Sequence, residues 1–90
     1  LTIASDTSIF AQAGPLVGSA PIWYGLQQLQ HSVGDKKARE IVYLCNRYTA
    51  QEAMNMGWVN KVVPQDKLDE EVDAWCKNLL EKSRQSLRIA

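Results

Sequence analysis

The chain has 90 residues, of which 46% are hydrophobic and 22% are charged, proportions that are ordinary for a folded globular protein and argue against disorder. Ten basic and ten acidic residues give a formal net charge of zero, and the one short basic cluster is Lys36, Lys37 and Arg39, so we expect no nucleic-acid partner. No apolar run approaches the ~20 residues of a membrane span, and no stretch resembles a secretory signal. We therefore expect no membrane partner and a cytoplasmic location.

Ninety residues suffice for one small domain, which buries about 60 to 65% of the surface that its unfolded chain exposes. We therefore expect modest stability without a partner or a further segment. The first residue is Leu1 rather than Met, which suggests a processed product or an excised piece. Cys45 and Cys76 lie among apolar residues without metal-ligand spacing, and we expect buried free thiols in a reducing compartment.

The first twenty residues are predicted to be extended or irregular. Residues 1–4 and 8–11 are short apolar stretches on either side of a polar turn, a pattern typical of a strand, a turn and a second extended piece. Pro15, Gly18 and Pro21 then follow so closely that neither a helix nor a central strand can run through them. This stretch is predicted to be a loop.

Two consecutive helices are predicted next. Apolar residues spaced by four, three and four favour a helix over Ile22–Val33, and Gly34 is well placed to end it. Asp35 can cap a second helix whose apolar positions run from Ala38 to Cys45. The chain must turn sharply between these helices.

A short helix and a strand are predicted after them. Thr49 and Glu52 fit a capping box, in which each side chain accepts a hydrogen bond from the backbone N–H of the other residue. The helix that this box opens should end at Gly57. Residues 58–63 contain three valines and favour an extended segment that Pro64 stops.

The last predicted helix carries one apolar stripe. Its members are Leu68, Val72, Trp75, Cys76, Leu79 and Leu80. Acidic residues near its start and Lys77 near its end suit the helix dipole. Burying such a stripe contributes roughly 1.5 to 3 kcal/mol per large side chain before the entropy of ordering is subtracted, so something must cover this face.

Self-contained catalytic groups are few. The single histidine, His31, has no cysteine or carboxylate at ligand spacing, and Cys45 has no histidine near it in sequence, so we expect structural roles for both and no metal site. The glycine spacing does not form a phosphate-binding fingerprint. The residues alone therefore indicate an α/β piece with one glycine and proline loop suited to lining a pocket.

Four ordered blocks resemble the crotonase, or enoyl-CoA hydratase/isomerase, superfamily. The blocks are Phe10-Ala11-Gln12 with Gly14-Pro15; Val17-Gly18-Ser19; Val33-Gly34 with Lys37-Ala38-Arg39-Glu40; and Tyr48-Thr49-Ala50-Gln51-Glu52-Ala53 with Met56-Gly57-Trp58-Val59-Asn60 and Val63-Pro64. Within the superfamily they are most similar to the naphthoyl-CoA synthase group and its ring-cleaving relatives. Hydratases usually carry a catalytic glutamate where this chain has Gly14, which argues against simple hydration.

The resemblance implies a helix-rich α/β fold in a single partial domain. Residues 1–64 would form the last turn of a crotonase-like ββα spiral, and residues 65–90 would form a C-terminal helical region that packs into trimers or hexamers. The substrate would be a coenzyme A thioester, with no tightly bound cofactor. Two backbone amides that hold the thioester oxygen in this superfamily come from segments before the position of Leu1.

Several site residues are carried over by the same resemblance. Gln12, Gly14 and Ser19 match substrate-pocket or anion-pocket positions of the naphthoyl-CoA synthase group. The threonine and tryptophan that help to hold a bicarbonate base there are replaced by Ala13 and Val42. Half of that anion site is missing, so a bound bicarbonate is not expected to act in the usual way.

Two further positions lack the side chains that the resemblance would require. An aspartate that polarises the substrate ring is replaced by Pro21, which cannot titrate or donate a hydrogen bond. A serine five residues further on is replaced by Leu26. No residue of this chain is therefore assigned as catalytic.

Two functional hypotheses remain open, with a third possibility beside them. The first is the C-terminal part of an acyl-CoA enzyme similar to naphthoyl-CoA synthase, not catalytically competent alone. The alternative is a non-catalytic oligomerisation or binding module derived from the crotonase fold, which the apolar stripe on the last helix favours. A decayed or recombined gene product without a biochemical role is the third.

Overall fold

Helices account for most of the computed structural model, which describes residues 1–20 and 25–90. In chain order the strands and α-helices are β1 (Ile3–Ser5), β2 (Ile9–Phe10), α1 (Gly25–Val33), α2 (Asp35–Leu44), β3 (Tyr48–Thr49), α3 (Ala50–Asn55), β4 (Lys61–Val63), α4 (Leu68–Leu80) and α5 (Arg84–Ile89). Single 3-10 turns lie at Pro15–Val17 and Gln65–Lys67. The helix-rich α/β class predicted from the sequence is confirmed.

The strands form two pairs that join distant parts of the chain. β1 lies parallel to β4, with Ile3 opposite Lys61, and β2 lies antiparallel to β3, with Phe10 opposite Tyr48. Both pairings connect the N-terminal stretch to the segment that follows α2. The loop that leaves β2 is therefore anchored at its start by residues from the middle of the chain.

Two small apolar clusters form the interior of the part of the chain that the structure describes. The first comprises Leu29, Ala38, Ile41, Val42 and Tyr48, where α1 and α2 meet β3. The second comprises Ala4, Ala50, Ala53 and Val59, where α3 meets the β1–β4 pair. Trp58 is half-buried and packs against both, so it joins the two clusters.

The turn between α1 and α2 follows the prediction at Gly34 and departs from it at Asp35. Gly34 has a φ of 84° and its N–H donates to the Gln30 carbonyl at 2.9 Å, which ends α1. The prediction that Asp35 caps α2 is wrong, because Gly34 occupies the N-cap and Asp35 is the first helical residue, paired with Arg39 at 3.0 Å. The predicted helix is observed from Gly25 onward, and residues 21–24 lie outside the described part of the chain.

The capping box is confirmed. The Thr49 hydroxyl accepts from the Glu52 N–H at 3.1 Å, and the Glu52 carboxylate accepts from the Thr49 N–H at 2.9 Å. The strand predicted over residues 58–63 is shorter, since only Lys61–Val63 pairs with β1. The N–H groups of Trp58 and Val59 instead donate to the Ala53 carbonyl, because the chain turns back over α3 at this point.

α4 forms as predicted and packs against β1, but much of its apolar stripe stays uncovered. None of its thirteen residues is buried, and Val72, Leu79 and Leu80 are 38%, 40% and 84% exposed. Glu71 attaches the helix to β4 by accepting from Lys61 Nζ at 2.5 Å, and within the helix it accepts from Trp75 Nε1 at 2.9 Å. In the described ranges, no helix has the length and apolar character that crossing a bilayer requires.

The prediction of two buried thiols is wrong. Cys76 is exposed because it lies on the uncovered face of α4, and Cys45 is half-buried where α2 ends. Cys45 adopts a left-handed conformation with a φ of 53°, and its Sγ lies 3.5 Å from the Val42 carbonyl oxygen. Both are free cysteines.

Two glycines with positive φ give a matched test of this packing. A Cβ at Gly57 would lie 2.7 Å from the Ser32 carbonyl oxygen, whereas a Cβ at Gly18 would have no atom within 4 Å. Both alanine variants pay about 1 to 2 kcal/mol for a left-handed backbone. Gly57→Ala should lower the free energy of unfolding by about 1 to 3 kcal/mol more than Gly18→Ala, because α1, which carries Ser32, must shift. Urea unfolding measures the difference, and equal losses would contradict the close approach to Ser32.

Candidate functional site

The candidate site is the loop from Gln12 to Ser19, which we call the Gln12–Ser19 loop. It leaves β2 two residues after Phe10, whose backbone pairs with Tyr48. The loop contains the 3-10 turn Pro15–Val17, which Gly18 ends with a φ of 75°. The prediction of an irregular loop is confirmed over its described residues, and Pro21 lies outside them.

The loop is closed by hydrogen bonds between its own backbone groups. The four bonds are Leu16 N–H to Ala13 O at 3.1 Å, Val17 N–H to Gly14 O at 3.1 Å, Gly18 N–H to Pro15 O at 3.4 Å, and Ser19 N–H to Gly14 O at 2.8 Å. Donors that are already paired are not free to bind a ligand oxygen. These four amides therefore define the shape of the loop and do not form an anion-binding pair.

The residues singled out by resemblance lie in different surroundings. Gln12 and Gly14 are half-buried in the loop, and Ser19 is exposed at its end. Leu26 lies on α1 and is 39% exposed, whereas Val42 is 2% exposed. Val42 belongs to the cluster between α1 and α2, so its side chain fills the interior. Four of the seven positions, Gln12, Ala13, Gly14 and Ser19, thus lie in one loop, and Pro21 is outside the described residues.

A hydrogen-bonded group at the base of the loop was not assigned a role from the sequence. The Glu40 carboxylate accepts from Lys37 Nζ at 3.1 and 3.0 Å and from the Tyr48 hydroxyl at 3.0 Å. Lys37 and Glu40 share one face of α2 because they are three residues apart. Both residues lie in one of the sequence blocks that carry the resemblance, but the contact with Tyr48 depends on how α2 packs against β3.

The surroundings of Glu40 and Tyr48 shift the pKa values of both side chains. The hydrogen bonds from Lys37 and Tyr48 lower the pKa of the Glu40 carboxyl below its ordinary value of 4.5. Burial, followed by the hydrogen bond to Glu40, raises the pKa of the Tyr48 hydroxyl. The two shifts agree, because both favour an ionised carboxylate that accepts a hydrogen bond from a neutral phenol.

An aromatic contact connects this group to the loop. The Trp58 ring centroid lies 5.6 Å from that of Phe10 and 6.4 Å from that of Tyr48, in tilted and edge-to-face arrangements. Aromatic pairs at such distances are favourable beyond the area they bury. Phe10, at the root of the loop, is therefore held by backbone pairing on β3 and by the Trp58 ring.

His31, the groove beside Tyr48 and the possible metal ligands are further candidate places, among the described residues, for ligand binding or reaction. His31 is exposed on α1. An open groove of about 670 Å³ lies beside Tyr48 and is lined in part by Lys37 and Arg47. Within residues 1–20 and 25–90, no three His, Cys, Asp or Glu side chains come together in a way that could hold a metal ion.

The chain is similar over its whole length to one family of known proteins. The protein family described as enoyl-CoA hydratase/isomerase matches residues 1–90. An enoyl-CoA hydratase structure from Mycobacterium paratuberculosis is 31% identical with a TM-score of 0.87 over 97% of this chain. A structure of subunit I of an enoyl-CoA hydratase from Geobacillus kaustophilus is 32% identical with a TM-score of 0.83 over 89% of this chain.

A more distant structure supports the fold alone. A putative enoyl-CoA hydratase/isomerase family protein from Hyphomonas neptunium is 21% identical and has a TM-score of 0.89 over 96% of this chain. The match covers 33% of that protein, and the two hydratase matches cover 39% and 31% of theirs. The chain therefore spans roughly a third of the length of these solved relatives.

The lowered pKa of Glu40 predicts a pH-dependent stability. A carboxyl whose pKa is lower in the folded state contributes stability above its ordinary value of 4.5, and that contribution disappears as pH falls through the folded-state pKa. The free energy of unfolding should therefore be larger for the wild type than for Glu40→Gln at neutral pH, and this difference should shrink in acid.

Urea titrations at about pH 7 and about pH 3 test this expectation. Lys37→Met is a second variant, because it removes the stronger donor to Glu40. The change in its free energy of unfolding between the two pH values should be smaller than in the wild type. An equal gap between wild type and Glu40→Gln at both pH values would contradict the assignment.

Proposed function

Because the chain belongs to the enoyl-CoA hydratase/isomerase family, we propose that it supplies one wall of an acyl-CoA pocket within a larger assembled fold. The observation that carries this proposal is the closed Gln12–Ser19 loop, held at its root by the pairing of Phe10 with Tyr48. Members of the family act on coenzyme A thioesters. A preformed loop suits this task because it loses little freedom on binding.

The chemistry of thioesters indicates which groups this chain would supply and which would come from elsewhere. Deprotonation next to a thioester builds negative charge on its oxygen, and fixed N–H donors stabilise that charge without reorganising. The amides of Leu16, Val17, Gly18 and Ser19 are all engaged within the loop. The chain would therefore shape the pocket, and the oxyanion donors would come from other parts of the assembled protein. We infer that the 90 residues alone are not catalytically competent.

The resemblance to naphthoyl-CoA synthases suggests a narrower interpretation. Gly14 stands where hydratases of the family usually carry a glutamate, so hydration would lack its usual acid or base. Ala13 and Pro21 cannot supply the hydroxyl and carboxylate expected of a ring-closing enzyme, and Val42 fills the interior instead of lining a pocket. We propose acyl-CoA binding without the usual bicarbonate base and without ordinary naphthoate ring closure, in the cytoplasm.

The test joins these 90 residues in frame to the upstream part of a naphthoyl-CoA synthase. Calorimetry with acetoacetyl-CoA measures binding, and the conversion of the open-chain aromatic acyl-CoA measures ring closure. We expect binding by the joined protein, no ring closure, and neither activity from the 90 residues alone.

A restoring variant makes the test sharper. Ala13→Thr combined with Pro21→Asp returns two of the missing polar groups to the joined protein, and Leu44→Asn is the control at an exposed position on α2. Some ring closure should appear only in the restoring variant. Normal turnover by the unmodified residues, or absence of acyl-CoA binding, would overturn the proposal.

A non-catalytic assembly module is the second candidate, favoured by the surface of the chain. Its accessible area is 6892 Å², whereas a compact monomer of this mass exposes about 5300 Å². Its radius of gyration is 15.2 Å, against about 12 Å for a compact 90-residue domain. The excess includes the uncovered face of α4, where Trp75 and Leu79 line an apolar groove with Leu1. A trimer or hexamer, as the resemblance implies, would cover such a face.

Sedimentation equilibrium of the purified chain tests the assembly module. Val72→Lys places a charge on the apolar face of α4 and should convert an oligomer to a monomer, whereas Asp73→Lys adds the same side chain at the next position and should not. A monomeric wild type would contradict the assembly module.

A further inference from the structure

We propose that Glu40, acting through Tyr48, is a positioning residue that sets the orientation of the Gln12–Ser19 loop. Its consequence for ligand binding rests on the proposed function, since that loop would be a wall of the acyl-CoA pocket. The structural part of the inference is independent of any ligand.

The first step is the anchoring of Tyr48 by Glu40. Tyr48 is 8% exposed, and a buried phenol hydroxyl needs a hydrogen-bond partner. Glu40 Oε1 is that partner at 3.0 Å, and Lys37 Nζ holds both carboxylate oxygens of Glu40 at 3.1 and 3.0 Å. The position of the Tyr48 ring is thereby tied to α2.

The second step leads from Tyr48 to the root of the loop. Phe10 pairs with Tyr48 across the two-stranded ladder and touches Trp58, whose ring also contacts Tyr48. A displacement of Tyr48 must therefore move the backbone of Phe10 or break this packing. Gln12 follows Phe10 by two residues, so the displacement reaches the start of the loop.

The third step is that the loop responds as a unit. Ser19 N–H donates to the Gly14 carbonyl at 2.8 Å and the 3-10 turn lies between them, so residues 14–19 form one closed turn. Such a turn changes direction at its root more easily than it changes internal shape. The orientation of the turn therefore depends on the contacts of Phe10 and Tyr48.

α2 carries a second ion pair that serves as an internal comparison. Arg39 Nε lies 3.0 Å from an Asp35 carboxylate oxygen, and Arg39 also bonds to the hydroxyl of Tyr43, which is 67% exposed. This pair has the same length as the Lys37–Glu40 pair, but its side chains are more exposed, at 58% and 48% against 40% and 39%, and it makes no bond to Tyr48. Its loss should leave the loop unchanged.

The experiment measures the loop amides directly in the full 90-residue chain. Nitrogen-15 NMR gives the chemical shifts of the Gly14 and Gly18 amides and the hydrogen-exchange rates of Val17, Gly18 and Ser19. The variants are Tyr48→Phe, Glu40→Ala and Glu40→Gln, with Arg39→Met as the control. Glu40→Gln is a rescue, because its amide oxygen can still accept from the Tyr48 hydroxyl.

Tyr48→Phe and Glu40→Ala should shift both glycine amides and speed exchange in the loop by about fivefold, the factor expected for the loss of one hydrogen bond. Exchange at Ala38 and Ile41, in the interior of α2, should change by much less. Glu40→Gln should lie near the wild type, and Arg39→Met should equal it. A purely structural role would accelerate all amides alike, and that result, or equal effects of Tyr48→Phe and Arg39→Met, overturns the proposal.

A ligand measurement separates this inference from the proposed function. Acetoacetyl-CoA is titrated into the joined protein described above and into its Tyr48→Phe variant. A weaker affinity in Tyr48→Phe, beside altered loop amides, supports both ideas. If the joined protein binds no acyl-CoA while the loop amides still respond to Tyr48→Phe, the proposed function fails and the positioning role stands. Unaltered loop amides refute the positioning role whatever the affinity.

Discussion

The packing of Trp58 is the contact on which the rest of this structure depends. Its ring touches Phe10 and Tyr48, and it packs against both apolar clusters, neither of which has more than five buried members among the described residues. Small clusters supply little stability individually, because the entropy of ordering the chain offsets most of the gain from burial. Joined through one large aromatic ring, they can act as a single unit. Gly57 makes this possible by turning the chain close against α1.

The same junction explains how a peripheral loop obtains a defined geometry. Aromatic contacts and a strand pair hold Phe10, and Glu40 holds Tyr48 from α2. The loop beyond Phe10 uses its own backbone for closure. The structure therefore presents a shaped loop on a packed scaffold; under the proposed function, other parts of an assembled protein would contribute the reactive groups.

Most local signals in the sequence predict the structure, with the N-cap of α2 as an exception, whereas contacts between distant residues are not predicted. The helix end at Gly34 and the capping box at Thr49 follow from side-chain and backbone chemistry within a few residues, and both are confirmed. The pairing of Phe10 with Tyr48 joins residues far apart in the chain, so no local pattern reveals it. Burial of the stripe on α4, including Cys76, was expected from amphipathicity, which identifies an apolar face but not what covers it.

Residue-resolved hydrogen exchange in low denaturant tests the joining role of Trp58 most directly. The comparison is between the wild type and Trp58→Leu, which keeps an apolar side chain but loses the ring contacts. In the wild type, Ile41 and Ala53, one from each cluster, should exchange through a common opening with the same free energy. In Trp58→Leu the account predicts two separate openings, with Ala53 exchanging at the lower free energy. A single shared opening in Trp58→Leu would contradict it.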